Sequence, residues 1–246
     1  MERNVHFDTA GLTNITARLA WAQLEVFADQ VEKIQVMAAG DEGTVNDLRM
    51  MLQDGSLIVE QPQYGLSLNI MGSRWMQICI RIPMSWTKDI RLSTISGLLS
   101  AQNLRGESIV LDSISGDLHA TRITAENISL KSISGDIRGE VLTAKTLSAR
   151  SVSGNLALSE VDAETLKGNS VSGEQTYRLH KAFQRIDVYA VSGDVSITSP
   201  VETMNVSMRS ISGRIRTQNV SVVDASDIPK VQVTGVSAEL ELIALQ

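Results

Sequence analysis

The sequence is poor in the residues on which most catalytic and cofactor sites depend. Its 246 residues include one cysteine, Cys79, which excludes an internal disulfide and any metal site built from cysteines. Aromatic residues make up 4% of the chain, and His6, His119 and His180 share no metal-ligand spacing. The sequence has neither a phosphate-binding loop nor a nucleophile elbow. We therefore predict no cofactor and no enzymatic activity.

Basic residues and long apolar runs are also scarce. Lys and Arg number 22 against 28 Asp and Glu, which gives a net charge of −6 without a basic cluster of the kind that binds nucleic acid. No apolar run approaches the 18 or so residues of a membrane span, and residues 1–6 lack the apolar core of a signal peptide. From these features alone we expect a soluble, cytoplasmic chain.

What the sequence does contain is a repeated motif, Ser-Ile-Ser-Gly or a close variant. The period of about 20 residues indicates a solenoid, and the alternation of apolar residues with Ser and Thr favours strands over a leucine-rich repeat. We predict an all-β fold, a single-stranded parallel β-helix with coils of 19–20 residues. The motif glycines stand 19, 19, 19, 19, 20, 20 and 22 residues apart, at Gly97, Gly116, Gly135, Gly154, Gly173, Gly193, Gly213 and, in a looser copy, Gly235.

Strand alternation assigns each motif position to the inside or the outside of the coil. In the copy at 113–118 we place Ile114, Gly116 and Leu118 inside, and the two serines and the aspartate outside. Each glycine is expected at a bend or at a close approach of two backbones. The predicted inward columns are Ile95, Ile114, Ile133, Val152, Val171, Val191 and Ile211; Leu104, Ile123, Leu142 and Val161; Ile109, Ile128, Leu147 and Leu166; and Ala125, Ala144 and Ala163.

The motif divides the chain into two parts. We predict that residues 89–246 form the regular solenoid and that residues 1–88 form either less regular coils or a β-rich cap over its first coil. Residues 18–34 would also suit one face of a helix, but the flanking sequence favours strands. The strand at 238–243 alternates apolar residues with outward glutamates and is predicted to end the stack as a charged edge.

Two places are candidate binding sites. Asp117 and Asp136 would stand about 4.8 Å apart on successive coils. They form either a solvated face, in which Lys131 and Arg138 offset the repulsion between the two carboxylates, or a site for a divalent cation such as calcium.

The second place is the irregular segment 174–185, which brings aromatic residues into an aromatic-poor chain. Its side chains have the composition of a protein-binding surface. The alternative is that its two aromatic rings fill the core of a longer coil. The residues in question are Tyr177, Arg178, His180, Phe183 and Arg185.

The repeated Ser-Ile/Val-Ser-Gly-Asp-Ile unit, with its lead-in at 80–83 and 89–97, resembles the bacterial putative-adhesin domain family over about residues 75–215. The resemblance implies a β-solenoid and a link to the cell envelope, and it carries over no catalytic motif. We expect a non-enzymatic scaffold or binding surface whose partner is an unidentified protein or cell-envelope component. The alternative is a carbohydrate-binding or carbohydrate-active β-helix, although Trp21, Trp75 and Trp86 all precede the regular coils.

Overall fold

Strands make up most of the computed structural model, which describes residues 1–62 and 75–245. The first part of the chain contains β1 (Glu2–Phe7), β2 (Asn14–Leu19), β3 (Gln23–Asp29), β4 (Ile34–Gly40), α1 (Glu42–Asp47), β5 (Arg49–Gln53), β6 (Ser56–Glu60) and β7 (Met76–Pro83). The middle contains β8 (Asp89–Thr94), β9 (Leu99–Gln102), β10 (Arg105–Ser113), β11 (Leu118–Lys131), β12 (Ile137–Ser151) and β13 (Leu156–Ser172). The last part contains β14 (Gln175–Leu179), β15 (Arg185–Ser192), β16 (Val195–Ser199), β17 (Thr203–Arg209), β18 (Ile215–Gln218), β19 (Ser221–Val222), β20 (Lys230–Ser237) and β21 (Leu240–Ala244).

The middle strands stack in parallel, one coil on the next. In β11, β12 and β13 the paired residues are 19 positions apart, so that Ile128 lies beside Leu147 and Leu147 beside Leu166. The fold is therefore the all-β solenoid that the period predicts. Residues 18–34 contain the end of β2, the whole of β3 and the start of β4, so this stretch favours strands over a helix, as predicted. None of the helices described in residues 1–62 and 75–245 is long and apolar enough to cross a membrane.

Each long middle strand bends once at a residue in the left-handed conformation. Arg122, Val141 and Glu160 stand at equivalent positions with φ of 53°, 57° and 51°, and Asn103 precedes them in the same column with φ of 55°. The bend lets one continuous strand cover two sides of the core. Val141 is the least suited of the four, because a branched Cβ crowds the backbone in this conformation.

The core confirms three of the four predicted inward columns. The leucine, isoleucine and valine columns at 104–161 and 109–166 are fully buried, and Ala125, Ala144 and Ala163 are buried beside them. Side chains thus fill the interior of the coils, as their short contour requires.

The fourth predicted column, the isoleucine and valine of the motif, is wrong. Ile114, Ile133, Val152 and Val171 are 43, 47, 38 and 45% exposed. The first motif serine is inside instead, at 5% exposed or less in Ser113, Ser132, Ser151 and Ser170. The chain turns at the motif, so that two consecutive residues face outward and strict strand alternation fails there.

At both ends of the stack, the order of the coils differs from their order in the sequence. The coil β2–β3 lies between the coil β6–β7 and the coil β8–β9. At the other end, the coil β20–β21 lies between β15–β16 and β17–β18. The prediction that residues 238–243 end the stack is therefore wrong, since β21 is paired on both sides.

The register also corrects the last copy of the motif. Ser192 pairs with Ser237 and Val195 with Leu240, so Gly193 is matched by Ala238 and not by Gly235. Because the copy begins three residues later than the glycine suggests, the sequence shows no Ser-Gly there.

The sheet is continuous across residue 88, because β8 pairs with β2 and β9 with β3. Around these coils, β1, β4 and β5 add antiparallel pairings, and α1 buries Val45. The division into 1–88 and 89–246 remains a prediction, and Gln246 lies outside the described residues.

Candidate functional site

A hydrogen bond inside each motif sets the geometry of the corner. The Gly135 N–H donates to Ser132 Oγ at 2.9 Å, and the same bond joins Gly116 to Ser113 and Gly154 to Ser151 at 3.0 and 2.8 Å. Thr94 takes the serine's place for Gly97 at 3.1 Å. The buried hydroxyl closes a short turn, as Ser side chains do in loops, and so draws the serine inward.

The glycine allows the corner to pack directly on the preceding coil. A Cβ on Gly135 would lie 2.2 Å from the carbonyl oxygen of Gly116, and one on Gly116 would lie 2.0 Å from that of Gly97. No side chain fits in such a gap, which confirms the predicted close approach. With serine and glycine both turned inward, the isoleucine between them has no place except the surface.

The outward isoleucines and valines line up as a continuous apolar column, here called the ridge. The Ser134 N–H donates to the Ile114 carbonyl at 2.8 Å, and equivalent bonds keep Ser115, Ser153 and Ser172 in register. Eight residues at steps of about 4.8 Å give the ridge a length of roughly 34 Å. In stacking order it comprises Ile95, Ile114, Ile133, Val152, Val171, Val191, Val236 and Ile211.

The predicted acidic column borders the ridge and forms a ladder of its own. Asp117 Oδ1 accepts the Asp136 N–H, and Asp136 Oδ1 accepts the Asn155 N–H, both at 3.0 Å. Arg138 lies 2.8 Å from Asp136 Oδ2 and 3.6 Å from Asp117 Oδ2. The structure thus brings the two cation candidates together but directs their oxygens at amides and a guanidinium. The described residues 1–62 and 75–245 contain no group of three or more acidic, His or Cys side chains able to hold a metal.

The irregular segment 174–185 divides into buried and exposed residues. Tyr177 and Phe183 are buried, at 0 and 3% exposure, so they fill the core in the way that the sequence left open as the alternative. Arg178, His180 and Arg185 are exposed. His180 Nδ1 lies 3.3 Å from Glu160, and Arg185 Nε lies 2.7 Å from Asp187. Partner binding by the three exposed residues remains a prediction.

Tyr177 fits inside the core because the residue that faces its hydroxyl, Gly168, has no side chain. Its hydroxyl donates to Gln175 Oε1 at 2.7 Å, and Gln175 Nε2 donates to the Tyr189 carbonyl at 3.1 Å. A Cβ on Gly168 would lie 2.0 Å from the Tyr177 hydroxyl oxygen. Burial raises the pKa of Tyr177 above its ordinary value, because the phenolate would lose its hydration.

The sequence analysis missed the ridge, although a count of residues could have shown that alternation breaks within the motif. Leu130 and Ile137 both belong inside, yet they are seven positions apart, and strict alternation over an odd interval would place them on opposite faces. Alternation must therefore break once between them. The hydroxyl bond of Ser132 decides that it breaks after the serine.

The solenoid matches a known protein family. The model of the Toastrack DUF4097 family matches residues 12–226, which is most of the chain. The chain belongs to the Toastrack DUF4097 family. No curated protein matches its sequence.

Solved structures share this Toastrack fold at low sequence identity. A crystal structure from Bacteroides fragilis, named as a putative adhesin, has 14% identity and a TM-score of 0.60, over 98% of this chain and 97% of that one. Another, from Parabacteroides distasonis and named as a putative lipid binding protein, has 14% identity and a TM-score of 0.65, over 98 and 96% of the chains. These likenesses concern the fold alone.

Proposed function

We propose that this Toastrack protein is a non-enzymatic, adhesin-like scaffold linked to the cell envelope, and that it binds its partner through the ridge. The observation that carries the proposal is the exposure of the motif's isoleucine or valine in coil after coil. Single exposed apolar residues are common on proteins, but a contiguous apolar surface marks an interaction site. The core is complete without these side chains, so packing does not account for them.

Two further features support a binding role over a catalytic one. In the acidic column beside the ridge, the carboxylates of Asp117 and Asp136 are engaged by their own ladder of hydrogen bonds and by Arg138. The structural neighbour named as a putative adhesin shares the fold, and adhesion is a binding function. The partner we propose is a protein or another component of the envelope.

The test is co-sedimentation of the purified chain with isolated envelope fractions, using a double variant, Ile133→Ser with Val152→Ser. Burying each side chain in a partner is worth about 1.5 kcal/mol or more, and two of them correspond to roughly 100-fold in affinity. The matched control is Val141→Ser, since Val141 is 41% exposed but lies away from the ridge. Unchanged sedimentation of the ridge variant, with its fold intact by circular dichroism, would contradict the proposal.

A further inference from the structure

The last coil of the stack has an open edge. β17 and β18 pair on their inner sides with β20 and β21, and β19 covers β17 only at Thr203 and Met204. Among the described residues 1–62 and 75–245, no strand pairs with the outer side of β18. An open strand edge is a template for pairing with another chain.

The backbone groups available at this edge can be identified. The Leu240 N–H donates to the Arg214 carbonyl at 2.9 Å, so the backbone of Arg214 faces β21. In a parallel pair, alternate residues direct their N–H and C=O groups to opposite sides. The N–H and C=O groups of Ile215 and Thr217 therefore point out of the stack, where a further strand would meet them.

The core is also uncovered at this end. Ile215 stands in the same column as Leu118, Ile137, Leu156 and Leu240, which are all buried, yet Ile215 is 44% exposed. At the opposite end the antiparallel strands β1, β4 and β5 and helix α1 surround the outer coils. The two ends differ, and the end at β18 offers an apolar contact beside its free backbone.

The charge of the open coil is opposite to that of the rest of the chain. Residues 203–223 contain Arg209, Arg214 and Arg216 and no acidic residue, which is +3 in a chain of −6 and leaves −9 for the remainder. Arg216 lies 3.1 Å from Glu239, whereas no described acidic side chain lies within ion-pair distance of Arg209 or Arg214.

The inner neighbour of β18 shows what kind of strand this edge accepts. Residues 238–242, which run into β21, alternate apolar and acidic residues, with Leu240 beside Ile215 and Glu241 beside Arg216. We propose that the outer edge of β18 binds an extended strand of a partner protein in which apolar and acidic residues alternate in the same way. Main-chain hydrogen bonds to Ile215 and Thr217 hold this strand, while Arg214, at the position beside the first glutamate in this register, selects its acidic residue. This site is separate from the ridge.

The probe is a labelled peptide with the sequence of residues 237–244, Ser-Ala-Glu-Leu-Glu-Leu-Ile-Ala, and the measurement is fluorescence anisotropy with the full chain. We expect saturable binding that weakens at least tenfold when both glutamates of the peptide are replaced by lysine. The variant Arg214→Glu should weaken binding of the original peptide at least tenfold. Arg105→Glu, an exposed site on another coil, should leave it unchanged.

Thr217→Pro separates edge addition from displacement of β21. Proline removes the outward N–H of residue 217 but no bond to β21, and proline is tolerated on edge strands. The proposal predicts that this variant stays folded and loses peptide binding. Retained binding would mean that the peptide displaces β21, and it would overturn the proposal. A wild-type chain that self-associates, and becomes monomeric with Thr217→Pro, would overturn it in favour of a second copy as the occupant.

Discussion

Ser132 and Ile133 are neighbours in the sequence but lie on opposite sides of the corner. The serine is 3% exposed and the isoleucine 47%, the reverse of what hydrophobicity alone favours. The serine can be buried because its hydroxyl is hydrogen-bonded to the Gly135 N–H, and a satisfied polar group costs little inside. The isoleucine, at 47% exposure, forgoes roughly half of the 1.5–3 kcal/mol that full burial would give. The comparison teaches that the hydrogen bonds and close contacts of the backbone decide which residues of a tight corner face inward. The apolar residue that does not fit inside is left exposed.

The largest expected effect concerns the inner side of the corner. Gly135→Ala places a Cβ 2.2 Å from the Gly116 carbonyl oxygen, and because both atoms belong to paired backbones neither can move freely. We expect a loss of about 3 kcal/mol or more in the free energy of unfolding, measured by urea titration. Gly43→Ala is the control, since a Cβ there has nothing within 4 Å. Similar losses in the two variants would refute the close approach.

A smaller effect is expected for the buried hydroxyl of Tyr177. Tyr177→Phe leaves Gln175 Oε1 without its donor and should cost about 1–3 kcal/mol at pH 8. In the folded chain the hydroxyl keeps its proton, while in the unfolded chain it ionises near the ordinary pKa of 10.0. High pH therefore favours unfolding of the wild type, and its advantage over Tyr177→Phe should shrink as the pH rises past 10.

The control for this pH dependence is Tyr189→Phe, whose ring is 43% exposed. Chemical denaturation of the three proteins at pH 8, 9.5 and 11 provides the measurement. A difference between wild type and Tyr177→Phe that stays constant over this range would mean that the hydroxyl is not shielded from water.

The smallest expected effect concerns two exposed valines, one at the left-handed bend of a strand and one at the corner formed by the motif. Val141 and Val152 are similarly exposed, but Val141 has a φ of 57° and Val152 sits on the ridge. Val141→Asn should stabilise the chain by about 0.5–1 kcal/mol, because asparagine tolerates the left-handed conformation. Val152→Asn should change stability by less than about 0.5 kcal/mol. Equal effects on the thermal midpoint would show that Val141 is not strained.

Much of the fold follows from the period and the columns, because a residue repeated at one position of a solenoid meets itself in the next coil. The core adds a second pattern that the sequence contains. In two pairs of buried residues nine positions apart, one side chain is large and the other small: Leu111 with Ala120, and Tyr177 with Gly168. A Cβ on Gly168 would collide with Tyr177, so the small residue leaves the space that the large one fills. The burial of Tyr177 could have been predicted from Gly168.

The order of the coils at the ends could not have been predicted in this way. Every coil carries the same inward pattern, so β20–β21 satisfies the core equally well at the end of the stack or one place further in. Local periodicity does not distinguish these two arrangements. Which residues of the motif face inward could be predicted only in part. The odd interval from Leu130 to Ile137 shows that strand alternation breaks between them, but not at which residue.

The most direct test of the account is the unfolding free energy of Ser132→Ala against that of Ile133→Ser. Ser132→Ala removes the acceptor of the buried Gly135 N–H and should cost about 1–3 kcal/mol. Ile133→Ser changes an exposed side chain and should cost less than about 0.5 kcal/mol. The account predicts this order in urea titrations of the two variants. A larger loss for Ile133→Ser would mean that the isoleucine column is the core and would contradict the assignment of the ridge to the surface.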